Sequence, residues 1–215
     1  MKEEINCDEA LTAIQNPLEQ PSPPIISVKN HIYLYNDIDT TVTRALFVAM
    51  HEMAAGIIQT ATDNNTNINP IILHINSVGG SCSDALAIVQ CIKDIQNGAI
   101  HKVGNIPIKI PVNTVIEGEA NSAASLIACV GSHRSISKYA LSLLHDVRQI
   151  SAGTVEKVDD IEISAKNLGM FRKKFYDIYL EHSKLTEEKL KEICSKEDYS
   201  TPQELLDWGI VDEII

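Results

Sequence analysis

Two β-branched, apolar runs, "IILHIN" and "VNTVIE", each end in small residues that lead into a helical stretch. The first passes through "SVGGS" into "SDALAIVQCIKDIQ", the second through "GEANSAAS" into "LIACV". Strand, cramped turn and helix, met twice, is the pattern of βαβ units. It commits the chain to an α/β fold with a largely parallel sheet. The rest of the chain keeps the alternation. "HIYLYN" predicts a strand. "DTTVTRALFVAMHEMAAGIIQTA" predicts a helix capped by Asp39 or Thr40, with Leu46, Met50, Met53, Ile57 and Ile58 at helical spacing. The helix after the paired glycines carries a stripe of Leu86, Val89, Ile92 and Ile95. "HRSISK" and "ALSLLH" predict short strands, and a long helix is expected from about Thr154 to Ser183. "TEEKLKEIC" and "TPQELLDWG" predict two further helices, and "IVDEII" a closing strand.

With 215 residues, the chain has the length for one such domain. Residues 1–25 are read as an N-terminal segment. Its first 16 positions suit a short amphipathic helix, and "NPLEQPSPPI", with four prolines in ten residues, is an extended linker. Residues 26–215 are the domain. A net charge of −11 repels phosphate backbones and argues against nucleic acid as a partner. No apolar run of membrane-spanning length is expected, and "MKEEINCDEA" lacks the apolar core of a signal peptide. The five cysteines, Cys7, Cys82, Cys91, Cys129 and Cys194, are scattered and form no CxxC pair. That spacing speaks against a disulfide framework or a zinc site and suits the reducing cytoplasm.

Two stretches bear on chemistry. The paired glycines of "HINSVGGS" place unhindered backbone N–H groups at a helix start, as an oxyanion site would, although a plain tight turn fits the same residues. No GxGxxG dinucleotide fingerprint is present. In "GEANSAAS", Ser122 falls at the first turn of a helix with its hydroxyl exposed, and Ala120, Ala123 and Ala124 are read as leaving room for a substrate backbone. Ser125 is the rival serine, one turn inside the helix and expected to bond a carbonyl four residues back. Taken alone, the stretch favours a packing serine over a nucleophile. A nucleophile needs a base, and His145 closes the strand "ALSLLH", at the strand end where α/β sheets open into a ligand crevice. His133 reads as solvated and His74 as a core residue, while His31, His51, His101 and His182 have no chemical context in the sequence. Glu197 and Asp198, in "SKEDYS", are the acids that could orient the base, although locally they read as surface charges.

Together these segments resemble the proteolytic subunit of the Clp protease (ClpP), a self-compartmentalised serine peptidase. The resemblance runs from about Asn30 to Ile215. "LHINSVGGS" is similar to the family's "YINSPGG", "GEANSAAS" to "GQAASMGA", and "LSLLHDV" to "VMIHQP". "DDIEISAKNL" resembles "TDIEIHAREI", which opens the helix joining ring to ring, and "TPQELLDWGIVDEI" resembles the terminal "SAPEAVEYGLVDSI". Several positions depart from the family. The stretch between Ser122 and His145 is slightly short, Val78 replaces a proline, Asn121 replaces an alanine, and His145 is followed by Asp146 rather than glutamine. The Pro-rich segment stands in place of the family's axial loops and first helix. The chain looks like a divergent, phage-type or accessory member.

The resemblance implies a ClpP/crotonase-like fold, a repeated ββα superhelix with a protruding handle helix. It implies a serine endopeptidase acting on unfolded polypeptides, with Ser122 as nucleophile and His145 as base. An ungapped count from the terminal motif puts the acid on Glu197, and a shift of one residue would move it to Asp198. Backbone N–H groups of Gly79 and Ala123 would form the oxyanion hole. No metal or organic cofactor is called for. The implied partners are further copies of the chain, in two stacked heptameric rings, and an AAA+ unfoldase. Two alternatives remain: a non-catalytic ring subunit, and a crotonase-like acyl-CoA enzyme in which the paired glycines would hold a thioester enolate.

Overall fold

The computed structural model describes residues 24–148 and 157–215. The segment read as an N-terminal helix, most of the Pro-rich linker and the expected start of the long helix at Thr154 lie outside the described residues.

The sheet is built around β3 (Ile71–Ser77), whose seven residues alternate between buried and half-buried. That alternation is what a strand with one face against helices requires. β2 (His31–Leu34) lies parallel on one side, with Tyr33 opposite His74. β6 (Val112–Asn121) lies parallel on the other side, with Ile75 opposite Ile116. β1 (Ile26–Val28) pairs antiparallel with β2, while β7 (Arg134–Ile136) and β10 (Glu213–Ile214) extend the sheet beyond β6 in parallel. The order is β1-β2-β3-β6-β7-β10, and β8 (Leu141–Leu143) and β9 (Tyr199–Ser200) complete an eight-stranded sheet. The ten-residue β6 serves two partners. Its middle pairs with β7 and its last three residues pair with β8.

Two helices cover the buried face. In α1 (Thr40–Asn64), the Asp39 carboxylate caps the first turn by accepting from the Val42 N–H at 2.8 Å. Its buried residues are Val42, Thr43, Leu46, Met50, Ala54 and Ala61, whereas the expected Met53, Ile57 and Ile58 are only half-buried at the edge of the contact. By length and composition α1 is apolar enough to cross a membrane, which corrects the expectation that no such run exists. Its apolar stripe is spent on the domain core. α2 (Cys82–Asn97) is capped by Ser81 and buries Ala85, Ile88, Val89, Ile92 and Ile95. The hairpin of β4 (Lys102–Val103) and β5 (Ile106–Pro107) was not anticipated, because two-residue strands leave no periodic signal.

After α3 (Ala123–Cys129) come α4 (Val158–His182), α5 (Glu187–Lys196) and α6 (Pro202–Asp207). A full capping box, with Thr201 and Glu204 bonded reciprocally, starts α6. The second half of α4 is anchored through buried Phe175, Tyr176 and Tyr179. The first half is not covered: Ile161, Ile163 and Met170 are each more than half exposed. Arg134 joins the far end of the molecule, forking onto both carboxylate oxygens of Asp212 at 2.6 and 3.0 Å and donating to the carbonyls of Cys129 and His182. The architecture is α/β, with a predominantly parallel sheet and helices packed against it.

Candidate active site

Ser122 closes β6 and immediately precedes α3, with φ 53° and ψ −124°. Residues other than glycine avoid this region, at a cost of about 1–3 kcal/mol. Among the described residues only Lys29, Asn65, Ser122 and Glu197 are non-glycine residues with positive φ, and two of those four are candidate catalytic positions. The Ser122 N–H donates to the Leu143 carbonyl at 2.7 Å, which ties the elbow to β8.

That tie sets the geometry of the site. Asn121 lies opposite Leu143 in the parallel β6–β8 pair, so the chain leaving β8 carries His145 past Ser122. β9 runs antiparallel to β8, with Leu143 opposite Tyr199. Continuing that register by two residues brings His145 across from Glu197. Three adjacent strands therefore deliver Ser122, His145 and Glu197 to one end of the sheet. The electrostatics agree: the Glu197 carboxyl is held below its usual range by a hydrogen bond from Arg148, with His145 adding to the effect. Asp198 faces another way, into a cleft lined by Lys189, Lys196 and Trp208.

The side chains are not joined in a continuous relay. The His145 Nδ1–H donates to the Asp146 carbonyl at 2.6 Å, which leaves Nε2 as the basic nitrogen. The Glu197 carboxylate is engaged by the Arg148 guanidinium. Asp146 contributes its backbone carbonyl here, while one oxygen of its carboxylate lies 3.8 Å from Arg172.

The glycine loop is packed against the serine. A Cβ on Gly79, whose φ is 97°, would lie 2.5 Å from the Asn121 carbonyl oxygen, 2.8 Å from Ser122 Cβ and 3.0 Å from the Ala123 nitrogen. Only glycine allows that approach. The loop is held from outside by Ile38, whose N–H donates to Gly79 O at 2.7 Å and whose carbonyl accepts from the Ser81 N–H at 2.8 Å. The Gly79 N–H donates to Ser77 Oγ at 3.1 Å, and that hydroxyl donates to Asn36 O at 2.7 Å. Among the described residues, no acceptor takes the Ala123 N–H.

Beside the loop is a cleft of about 610 Å³. Its walls come from Gly80 to Ser83 at the start of α2, from Val147 and Arg148 after the histidine, and from Leu168 and Phe171 of α4.

The sequence as a whole matches one family: residues 26–215 fit the family model described as Clp protease. The chain belongs to the Clp protease family. It is also similar to the ATP-dependent Clp protease proteolytic subunit of Deinococcus radiodurans, 28% identical over 153 residues that make up 71% of this chain and 68% of that one.

Within this Clp protease chain, several expectations need correction. Ala120, Ala123 and Ala124 are fully buried, so they are small to let α3 pack, not to admit a substrate. Ser125 bonds the carbonyl three residues back: its Oγ donates to Ser122 O at 2.7 Å and accepts from the Tyr179 hydroxyl at 2.6 Å. Ser125 is thus a buried strut from α4 to the elbow. His133 is exposed, as expected, and also pairs with Glu213 at 2.8 Å. The histidines that had no context fall largely into pairs. His31 Nδ1 is 2.7 Å from His74 Nε2, and His74 Nδ1 is 2.8 Å from Glu117, while His51 and His101 are 3.2 Å apart. His74, with its side chain only 12% exposed and both ring nitrogens partnered, is a satisfied histidine of the strand. Arg148 was missed because its partner is remote in the chain. Among the described residues no group of three or more His, Cys, Asp or Glu side chains could hold a metal ion.

Proposed function

We propose that this member of the Clp protease family is a serine endopeptidase that cuts unfolded polypeptides inside a chamber built from copies of itself. The observation that carries this reading is the delivery of Ser122, His145 and Glu197 by three neighbouring strands, with Ser122 in a strained elbow against Gly79. Ser122 Oγ attacks the scissile carbonyl and its proton passes to His145 Nε2. The tetrahedral oxyanion is stabilised by the N–H groups of Ala123 and Gly79, a contribution of about 3–4 kcal/mol per donor in serine proteases. For Gly79 to donate, its bond to Ser77 must open. His145 then protonates the leaving amine, and water, activated by the same imidazole, releases the acyl group from Ser122. Glu197 is the acid that stabilises the imidazolium once Arg148 lets it go.

The chamber is supported by the uncovered first half of α4, where Ile161, Ile163 and Met170 face outward in one protomer. Two stacked heptameric rings, fed by an AAA+ unfoldase, are the assembly we propose. The cytoplasm suits the chain: Cys82, Cys91, Cys129 and Cys194 are free, and burial pushes the Cys91, Cys129 and Cys194 thiols up to about 11, 12 and 11.

A fluorophosphonate probe tests the reading. It should label the purified protein once per chain, at Ser122, and labelling should vanish in Ser122→Ala and His145→Ala but persist in His133→Ala. A protein that assembles into rings yet takes no label would instead be a non-catalytic ring subunit.

A further inference from the structure

Among the described residues, the cleft beside the glycine loop is lined by serines, a glycine, a cysteine, Asn167 and apolar side chains, and Arg148 is the one charged residue on its walls. The same guanidinium holds the Glu197 carboxylate. One cation therefore faces both the cleft beside the glycine loop and the acid of the proposed triad. The two roles compete because Glu197 is held through Nη2 alone, a single contact that is lost when the guanidinium is drawn toward a carboxylate in the cleft.

We propose that Arg148 is a specificity and positioning residue: an acidic substrate side chain seated in this cleft takes the guanidinium from Glu197 and frees that acid to orient His145. The proposal rests on the peptidase reading and names its substrate class, polypeptides cut beside acidic residues. The cleft chemistry fits a glutamate, with the methylenes against Val147, Leu168 and Phe171 and the carboxylate on Arg148. The exchange is cheap. Arg148 and Glu197 are each about half exposed in the pair, at 58% and 42%, and ion pairs at that exposure contribute little. A side chain seated in the cleft would cover the guanidinium from water, and the carboxylate it brings is then bound more tightly than the exposed Glu197. Without an acidic guest, His145 Nδ1 is held by the Asp146 carbonyl and Glu197 is held by Arg148. An acidic guest thus supplies both binding and alignment.

The test uses the full chain in its assembled form, two peptide series and the fluorophosphonate probe. Fluorogenic peptides differ only in Glu, Gln, Leu or Lys at the residue whose carbonyl is attacked. Cleavage sites in an unfolded reference protein are read by mass spectrometry. The wild type should favour Glu over Gln by about tenfold, the yield of one charge-assisted contact. Arg148→Gln should bring that ratio close to one, and should also speed probe labelling of Ser122, because Glu197 is then unclaimed. A merely structural arginine would not produce that acceleration. Arg148→Lys should keep part of the preference, and Arg148→Glu should shift cleavage toward Lys. A wild-type enzyme that the probe labels but that shows no acidic preference overturns the proposal, as does a preference that survives Arg148→Gln. A protein neither labelled nor cleaving overturns the peptidase reading itself and this inference with it.

Discussion

Ser122 and Gly79 touch so closely that a methyl group on the glycine would lie 2.8 Å from the serine Cβ. The other obstacles to that methyl, Asn121 O and the Ala123 nitrogen, are backbone atoms that cannot swing aside. Gly79→Ala is therefore expected to push the loop off the elbow. Stability should fall by about 2 kcal/mol or more, from clash and from a φ that alanine avoids. Probe labelling of Ser122 should fall more than about a hundredfold, because one oxyanion donor moves. Labelling at the wild-type rate would show that the Gly79 N–H is not part of the site.

The strain at Ser122 predicts opposite signs for stability and activity. Ser122→Gly should abolish labelling and yet raise stability by about 1 kcal/mol, the strain released minus the extra freedom of glycine in the unfolded chain. For a domain of this size that is a rise of about 2–4 °C in Tm. Ser122→Ala should abolish labelling without that gain. Differential scanning calorimetry of the two variants decides the matter, and a midpoint for Ser122→Gly below that of Ser122→Ala would mean the elbow is unstrained.

Ser125→Ala separates the two serines. The Tyr179 hydroxyl, fully buried and with its pKa raised mainly by that burial, would lose its acceptor. Leaving such a group unpaired costs about 1–3 kcal/mol. Urea unfolding should show that loss while the probe still labels Ser122. Loss of labelling with unchanged stability would reverse the roles of the two residues.

Acidification should destabilise the fold in a window set by histidines. Burial lowers His74, His101 and His182 below the ordinary imidazole value of 6.5, with His31 and His51 reinforcing the first two. The unfolded chain takes up these protons first, so their contribution is complete above 6.5 and is lost as pH falls through the folded values. Glu117, raised above 4.5 by burial, acts in the opposite sense: its contribution is complete below 4.5 and fades as pH rises through its folded value. Three groups outweigh one, so Tm should be flat above about pH 7 and fall below 6.5. A midpoint that rises between pH 6.5 and 5.5 would contradict the burial of these rings.

Ile163→Glu places a charge on the uncovered half of α4, where Ile163 is 58% exposed in the protomer. The isolated subunit should tolerate it, within about 0.5 kcal/mol. Sedimentation velocity should show the assembled particle dissociating, with peptidase activity falling alongside. An active wild-type monomer would remove the case for a chamber.

The candidate site was legible in the sequence to the extent that its parts are local. Ser122 and Gly79 sit in small-residue turns that follow β-branched strands, a pattern that also serves plain packing and gains a chemical reading only from the segments around it. His145 stands out as a candidate base because the sequence reads it as closing a strand, although β8 stops two residues earlier, at Leu143. Glu197 was reached by counting from a terminal motif, and the antiparallel register of β8 and β9 supplies the physical reason for that count. What could not be read were contacts made by the fold alone. Ser125 meets Tyr179 from 54 positions away, Arg148 meets Glu197 from 49, and His31 meets His74 from 43. Nothing in the local pattern of "DVRQI" or "HIYLYN" distinguishes such partners from solvated side chains.

The clamp of Ile38 on the glycine loop gives the site a built-in gauge. The Ile38 and Ser81 amides are engaged only while Gly79 and Gly80 hold their places, since one donates to Gly79 O and the other to the Ile38 carbonyl. Their hydrogen exchange with deuterated water therefore tracks a single opening event, that of the loop. These two slow amides would report the readiness of the site in a protein with no substrate present, in any assembly state, and in variants whose nucleophile has been removed.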